Sequence, residues 1–165
     1  MGSTPWHGGR QVQGGLRFVK IGFYLDHLTR DTGCLRVVPG SQKVGVPDLL
    51  APLRGLNDDP DFTAFGLTLE EIPCVALEVE LGDIVVFTEC VLHASFGGLP
   101  SGRHQHAINF FANPKNDAQT EELKQIYRRT KWSVRPTVAI LNSARPRVQR
   151  MISRLVELGH GPPKM

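Results

Sequence analysis

The sequence predicts a mainly β domain of the sandwich or jelly-roll class, followed by helices. About six short strand-like segments recur at nearly even spacing before residue 113, the rhythm of sandwiches and jelly rolls. Glycine (17) and proline (12) are frequent for 165 residues, as many tight turns require. Beyond residue 116 the apolar period changes to that of helices. The length suits one domain. A composition of 41% hydrophobic and 21% charged residues is that of an ordinary globular chain and excludes a low-complexity tail.

Residues 15–26 (GLRFVKIGFYLD) mix alternation with an apolar run, as in a strand with one face well buried. TRDTG (29–33) is a turn, in which Asp31 bonds its own backbone and Gly33 permits a positive φ. CLRVV (34–38) is a short strand stopped by Pro39-Gly40. Residues 44–73 are less regular, with a short helix expected over 47–54. VALEVE (75–80) alternates and is a strand. IVVF (84–87) is apolar on both faces and is expected to be a central strand. Residues 91–96 and 104–112 give two more strands around the turn 97–102.

The last third is helical. Leu123 and Ile126 share a face with Tyr127, after a cap expected at Asp117 or Thr120. Val148, Met151, Ile152, Leu155 and Leu158 form a second stripe, ended by Gly159. Arg145, Arg147, Arg150 and Arg154 occupy the opposite side, a solvated face. No repeat or linker divides the chain, so residues 1–165 are expected to form a single domain.

A net charge of +3 is too small to argue for nucleic acid. No apolar run is long enough for a membrane span, and no leader is expected from the opening residues. Cys34, Cys74 and Cys90 are odd in number and widely spaced, so a reducing, cytoplasmic setting is expected, with the thiols as small core filler. The expected partner is a small molecule.

Two histidines stand out by context. His7 lies in TPWHGG before the first long strand, and His93 lies in VLHAS after IVVF. Arg103 follows ten residues later. With KIGFYLDHLTRDTGCLRVVPGSQK, LGDIVVFTECVLHASFGG and GRHQHAINFF in this order, the sequence resembles the phytanoyl-CoA dioxygenase family of iron(II)- and 2-oxoglutarate-dependent oxygenases. The resemblance covers roughly residues 4–113. It implies a double-stranded β-helix, a cupin-like jelly roll with its core over about 4–113, and a C-terminal helical segment over about 117–159.

It also implies a dioxygenase that hydroxylates a small organic substrate. His7 and His93 would be the iron ligands, and Arg103 would clamp the far carboxylate of 2-oxoglutarate, assisted by Ser95 and Thr4. The chemistry agrees with that assignment. Imidazole suits Fe(II), and distant ligands can meet at one barrel mouth. A guanidinium grips a carboxylate with two parallel bonds.

The sequence departs from the family in two ways. The family's His-x-Asp reads His7-Gly8-Gly9 here, so the third, carboxylate ligand is absent from its place. Three consequences stay open: a halogenase-like site with chloride in the gap, an oxygenase with a rearranged site, or a non-catalytic binding module. Asp26 and Glu89 are the nearest carboxylates by context. Only six residues precede His7, so the N-terminal part of the family fold is expected to be lacking. That would leave a sheet edge near the metal, which a homodimer would cover. Lys20 and Arg36 are rim charges that could approach a ligand from neighbouring strands, and His106 is a candidate for facing substrate.

Overall fold

The computed structural model describes residues 4–8, 15–56, 61–98, 103–129 and 138–159. They form two compact units, one of residues 1–12 and 17–111 and one of 13–16 and 112–165. Among the described residues, no helix is long and apolar enough to cross a membrane.

Among its described residues the first unit holds seven strands: β1 (Thr4–His7), β2 (Phe18–Tyr24), β3 (Leu35–Val37), β4 (Val75–Leu77), β5 (Ile84–Phe87), β6 (His93–Ser95) and β7 (Gln105–Phe111). They build two antiparallel sheets, ordered β1-β6-β3-β4 and β5-β2-β7. Strands adjacent in sequence mostly lie in different sheets, the crossing pattern of a jelly roll. Each of the two sheets contributes one face to a shared interior.

The four-stranded sheet is backed by a core of Trp6, Leu92, Ala94 and Phe96 packed on Leu53, Leu56, Leu69 and Ile72. These last four come from the irregular stretch between β3 and β4. There the expected helix is split into α1 (Val46–Leu49) and a 3-10 turn, Ala51–Gly55. Trp6 donates Nε1–H to the Leu69 carbonyl (3.2 Å), so this aromatic closes the back of the sheet. A second cluster joins Tyr24, Leu28, Cys34 and Val79. Val79 lies outside β4, but its bridge to Leu28 continues the strand pattern read from VALEVE.

IVVF is an edge strand, contrary to expectation. β5 pairs only with β2 among the described residues, and Ile84 and Val86 are 55% and 60% exposed. They share the outer face with Phe23, Ile21 and Ile108, which the register places beside them. A run apolar on both faces records two apolar surfaces, not two strand neighbours.

The second unit contains α2 (Asp117–Arg129), α3 (Val138–Leu141) and α4 (Pro146–Glu157). The cap of α2 is Asn116, whose Oδ1 accepts the Gln119 N–H (2.9 Å), in place of Asp117 or Thr120. α4 begins with proline, which lacks a donor to leave unpaired, and its buried residue is Ile152.

Candidate active site

Between the two sheets of the first unit lies a cavity of about 150 Å³. β1 gives it Thr4 and His7, and β6 gives His93 and Ser95. β2 gives Lys20, Gly22 and Tyr24, while Phe87 and Gln105 come from β5 and β7, with Arg103 just before β7.

Strict alternation would send Thr4 and His7 to opposite faces of β1. The β1–β6 register prevents this. Thr4 faces Ser95 and His7 faces His93, so three steps on β1 match two on β6. That irregularity is a bulge, and it turns both β1 side chains to the interior. His93 and Ser95 are two apart and share that face by ordinary pleating.

The two imidazole rings stand 4.0 Å apart between centroids, inclined at 53°. Each Nδ1 approaches the carbonyl two residues back: His7 that of Pro5 (2.9 Å), His93 that of Val91 (2.7 Å). A carbonyl only accepts, so each Nδ1 carries a proton, which leaves Nε2 as the nitrogen that can face a metal. Outer hydrogen bonds of this kind set the tautomer of a metal-ligating histidine. Burial pushes the His93 pKa down to about 3, helped by the neighbouring His7 and opposed by the Val91 carbonyl. The ring is therefore neutral at ordinary pH, the form that binds metals.

Gly8 makes the close approach of the two rings feasible. Its φ is +82°, and a Cβ there would lie 2.6 Å from the carbonyl oxygens of Glu89 and Val91 and 2.9 Å from His93 Nδ1. Two further clamps hold the flanking backbone. Leu92 N–H donates to the buried Ser41 hydroxyl (2.7 Å), and Arg54 Nε–H donates to the Gly8 carbonyl (2.9 Å).

One step along β6 stands the basic end of the cavity. Arg103 donates to the Gly33 carbonyl (3.0 Å) and to Thr4 Oγ1 (3.3 Å), and Ser95 Oγ donates to the same Gly33 carbonyl (2.7 Å). The Arg103 Nε is buried and has no hydrogen-bond partner among the described residues. Burial lowers the pKa of this guanidinium, yet arginine remains charged. A cation with a spare donor beside two hydroxyls suits an incoming carboxylate.

The donor set thus fits a transition metal held by two imidazoles, a ligand type that suits iron, zinc, copper or nickel. Among the described residues, no third His, Cys, Asp or Glu completes a group around them. Gly9 lies outside the described residues. The carboxylates weighed from the sequence are engaged elsewhere: Asp26 with the exposed His104, Glu89 with Lys20.

Other expectations separate cleanly. Lys20 lines the cavity, whereas Arg36 is turned to the opposite face of β3. There its guanidinium donates to the Phe96 and Arg30 carbonyls (2.8 and 2.7 Å) and stacks on the Phe96 ring. His106 is exposed and paired in register with Phe23 on the outer face. Gln105 faces the cavity in its place. Sequence reasoning passed over Gln105, Tyr24 and Phe87. The period of two from Arg103 points to Gln105, but nothing local marks Tyr24 or Phe87.

Residues 3–104 match the family model described as phytanoyl-CoA dioxygenase (PhyH). The chain belongs to that family. Its members carry the cupin-like fold seen here as two antiparallel sheets. Two solved structures are similar to it. AviO1 from Streptomyces viridochromogenes Tue57 is 28% identical, with a TM-score of 0.44 over 69% of this chain and 45% of that one. EvdMO1 is 26% identical, with a TM-score of 0.45 over 68% of this chain and 24% of that one. The chain therefore spans less than half the length of either. No curated protein matches it.

Proposed function

We propose that this chain carries the site of an iron(II)- and 2-oxoglutarate-dependent dioxygenase that hydroxylates a small organic substrate. The observation that carries the proposal is the pair of imidazoles 4.0 Å apart, each with Nδ1 tied to a backbone carbonyl and Nε2 left as the nitrogen for a metal. His7 and His93 would hold the metal. Arg103, with Ser95 and Thr4, would grip the far carboxylate of the oxo acid. Iron with the oxo acid supplies the oxidising power when bound.

The protein's part is orientation and exclusion of water. Tyr24, Leu35 and Phe87 give the cavity apolar walls, and Gly22 leaves room between Lys20 and Tyr24. In such surroundings a charge-assisted grip at Arg103 is stronger than in water.

Anaerobic titration with Fe(II) and 2-oxoglutarate tests this. A weak visible absorption band is expected, lost in His93→Ala, and succinate is expected once air is admitted. A chain that gives neither band nor succinate is a non-catalytic binding module. The glycine at position 9 sustains halogenation as a second reading. Chloride-dependent affinity for the oxo acid favours it over hydroxylation, and turnover rescued by Gly9→Asp favours hydroxylation at a depleted site.

A further inference from the structure

The inward row of β2 orders the cavity along one axis. Tyr24, Gly22 and Lys20 pair in register with Gln105, Ala107 and Asn109 of β7. At a rise of about 3.3 Å per residue, Lys20 and Tyr24 lie roughly 13 Å apart along the strand. Arg103 belongs to the Tyr24 end, where the two side chains interact electrostatically. Lys20 belongs to the imidazole end. Its register partner Phe87 sets its ring edge-on to His93 at 5.0 Å, and the lysine charge is felt at that histidine. Along the cavity Arg103 lies at one end, and the histidine pair and Lys20 share the other.

We propose that Lys20 anchors an anionic group of the primary substrate, so that the substrate class is the carboxylic acids. This rests on the oxygenase proposal. On that reading the oxo acid would be held between Arg103 and the histidine pair, which would leave the lysine for a second molecule. Among the described residues, Lys20 and Arg103 are the charged side chains that line the cavity, and no acid lines it. The lysine is instead paired at the rim with Glu89, and both side chains are partly exposed (23% and 30%). An ammonium on a flexible stem can leave a part-exposed ion pair at little cost. A substrate carboxylate then replaces Glu89 in a drier place, where the contact is stronger.

The rival role is a structural staple between β2 and the loop before β6. Two variants separate the roles. Lys20→Met removes the charge and keeps the stem, while Glu89→Gln breaks the rim pair and keeps the ammonium. The probes are fatty, aromatic and amino acids, each matched with its methyl ester. Two readouts apply: perturbation of the anaerobic Fe(II)–2-oxoglutarate band, and succinate release in air.

Acids are expected to perturb the band and stimulate release at concentrations where their esters do neither. Lys20→Met is expected to weaken the acid by about ten-fold or more, the loss that a charge-assisted hydrogen bond carries. Its affinity for 2-oxoglutarate stays within about two-fold of the parent, and Glu89→Gln binds the acid at least as well as the parent. The proposal is overturned if esters act like acids, if no acid in the panel acts, or if Glu89→Gln fails as Lys20→Met does. It is overturned also if Lys20→Met weakens 2-oxoglutarate as much as the acid. A parent chain with no band at all refutes the oxygenase reading instead, so the two failures are distinct.

Discussion

Gly8→Ala perturbs the site at the point where its geometry is tightest. The new methyl carbon would sit 2.6 Å from two backbone carbonyl oxygens, those of Glu89 and Val91, and 2.9 Å from His93 Nδ1. Backbone cannot rotate aside, so the turn itself must move by several tenths of an ångström. The left-handed φ of +82° adds about 1–2 kcal/mol for any residue with a Cβ. Overpacking adds about 1–3 kcal/mol. Gly82→Ala is the control: its φ is +94°, and nothing lies within 4 Å of its added carbon. It carries the backbone term alone. Urea denaturation at constant m should therefore place Gly8→Ala about 1–3 kcal/mol below Gly82→Ala. The Val91 carbonyl also orients His93. Its displacement should cost ten-fold or more in metal affinity, the usual effect of losing an outer hydrogen bond. Calorimetric titration with Co(II) in place of iron reads this directly. If Gly8→Ala matches Gly82→Ala in both stability and metal affinity, position 8 does not set the histidine pair.

Ser41→Ala leaves the Leu92 N–H without its acceptor in a buried site, which should cost about 1–3 kcal/mol in denaturation. Because Leu92 adjoins His93, metal affinity should fall with it, whereas a distant core truncation of equal cost should leave it unchanged. Stability should also fall with acidity. His93 has a folded pKa of about 3 against an ordinary value of 6.5, so the unfolded chain takes up the proton first. Stability is then full above about pH 6.5 and declines toward pH 3 by up to about 1.4 kcal/mol per unit. Urea midpoints measured against pH should show that slope, and His93→Gln should flatten it. Arg103→Lys keeps the charge but loses the fork, so affinity for 2-oxoglutarate should drop about ten-fold while metal binding alone stays within two-fold. Equal loss of both would place Arg103 in the scaffold.

Local pattern carries most of the strands. The alternation of VALEVE and the turn residues around CLRVV locate β3 and β4 to within a few residues. Neighbour relations are a different matter. IVVF reads as central because both faces are apolar, and the edge shows only in the pairing of β5 with β2 alone among the described residues. The bulge in β1 is equally silent, since TPWH contains nothing that marks an extra residue. Without it, Thr4 and His7 diverge. The cap of α2 is ambiguous in NDAQT because three of its residues have capping side chains, and hydrogen-bond geometry alone selects Asn116. For the site, His7, His93 and Arg103 stand out by residue type and order. Ser41 and Arg54 do not, because their partners are 51 and 46 residues away and are backbone atoms.

The charges around the cavity form a single system. Lys20 and burial both disfavour a proton on His93, which keeps its lone pair available. The same positive field opposes a metal dication at that place. Glu89 offsets it only from the rim, through its pair with Lys20. In a site with a carboxylate at position 9, that group would balance the metal. Here the lining contains no acid among the described residues, and Arg103 adds a second cation. On the proposed reading, balance has to come from bound anions, first the oxo acid and then the acid at Lys20. Each anion lowers the cost of the cation, and by linkage the cation raises the affinity for each anion. The same cations that weaken metal binding in the empty cavity therefore make it conditional on the ligands with which the metal would react.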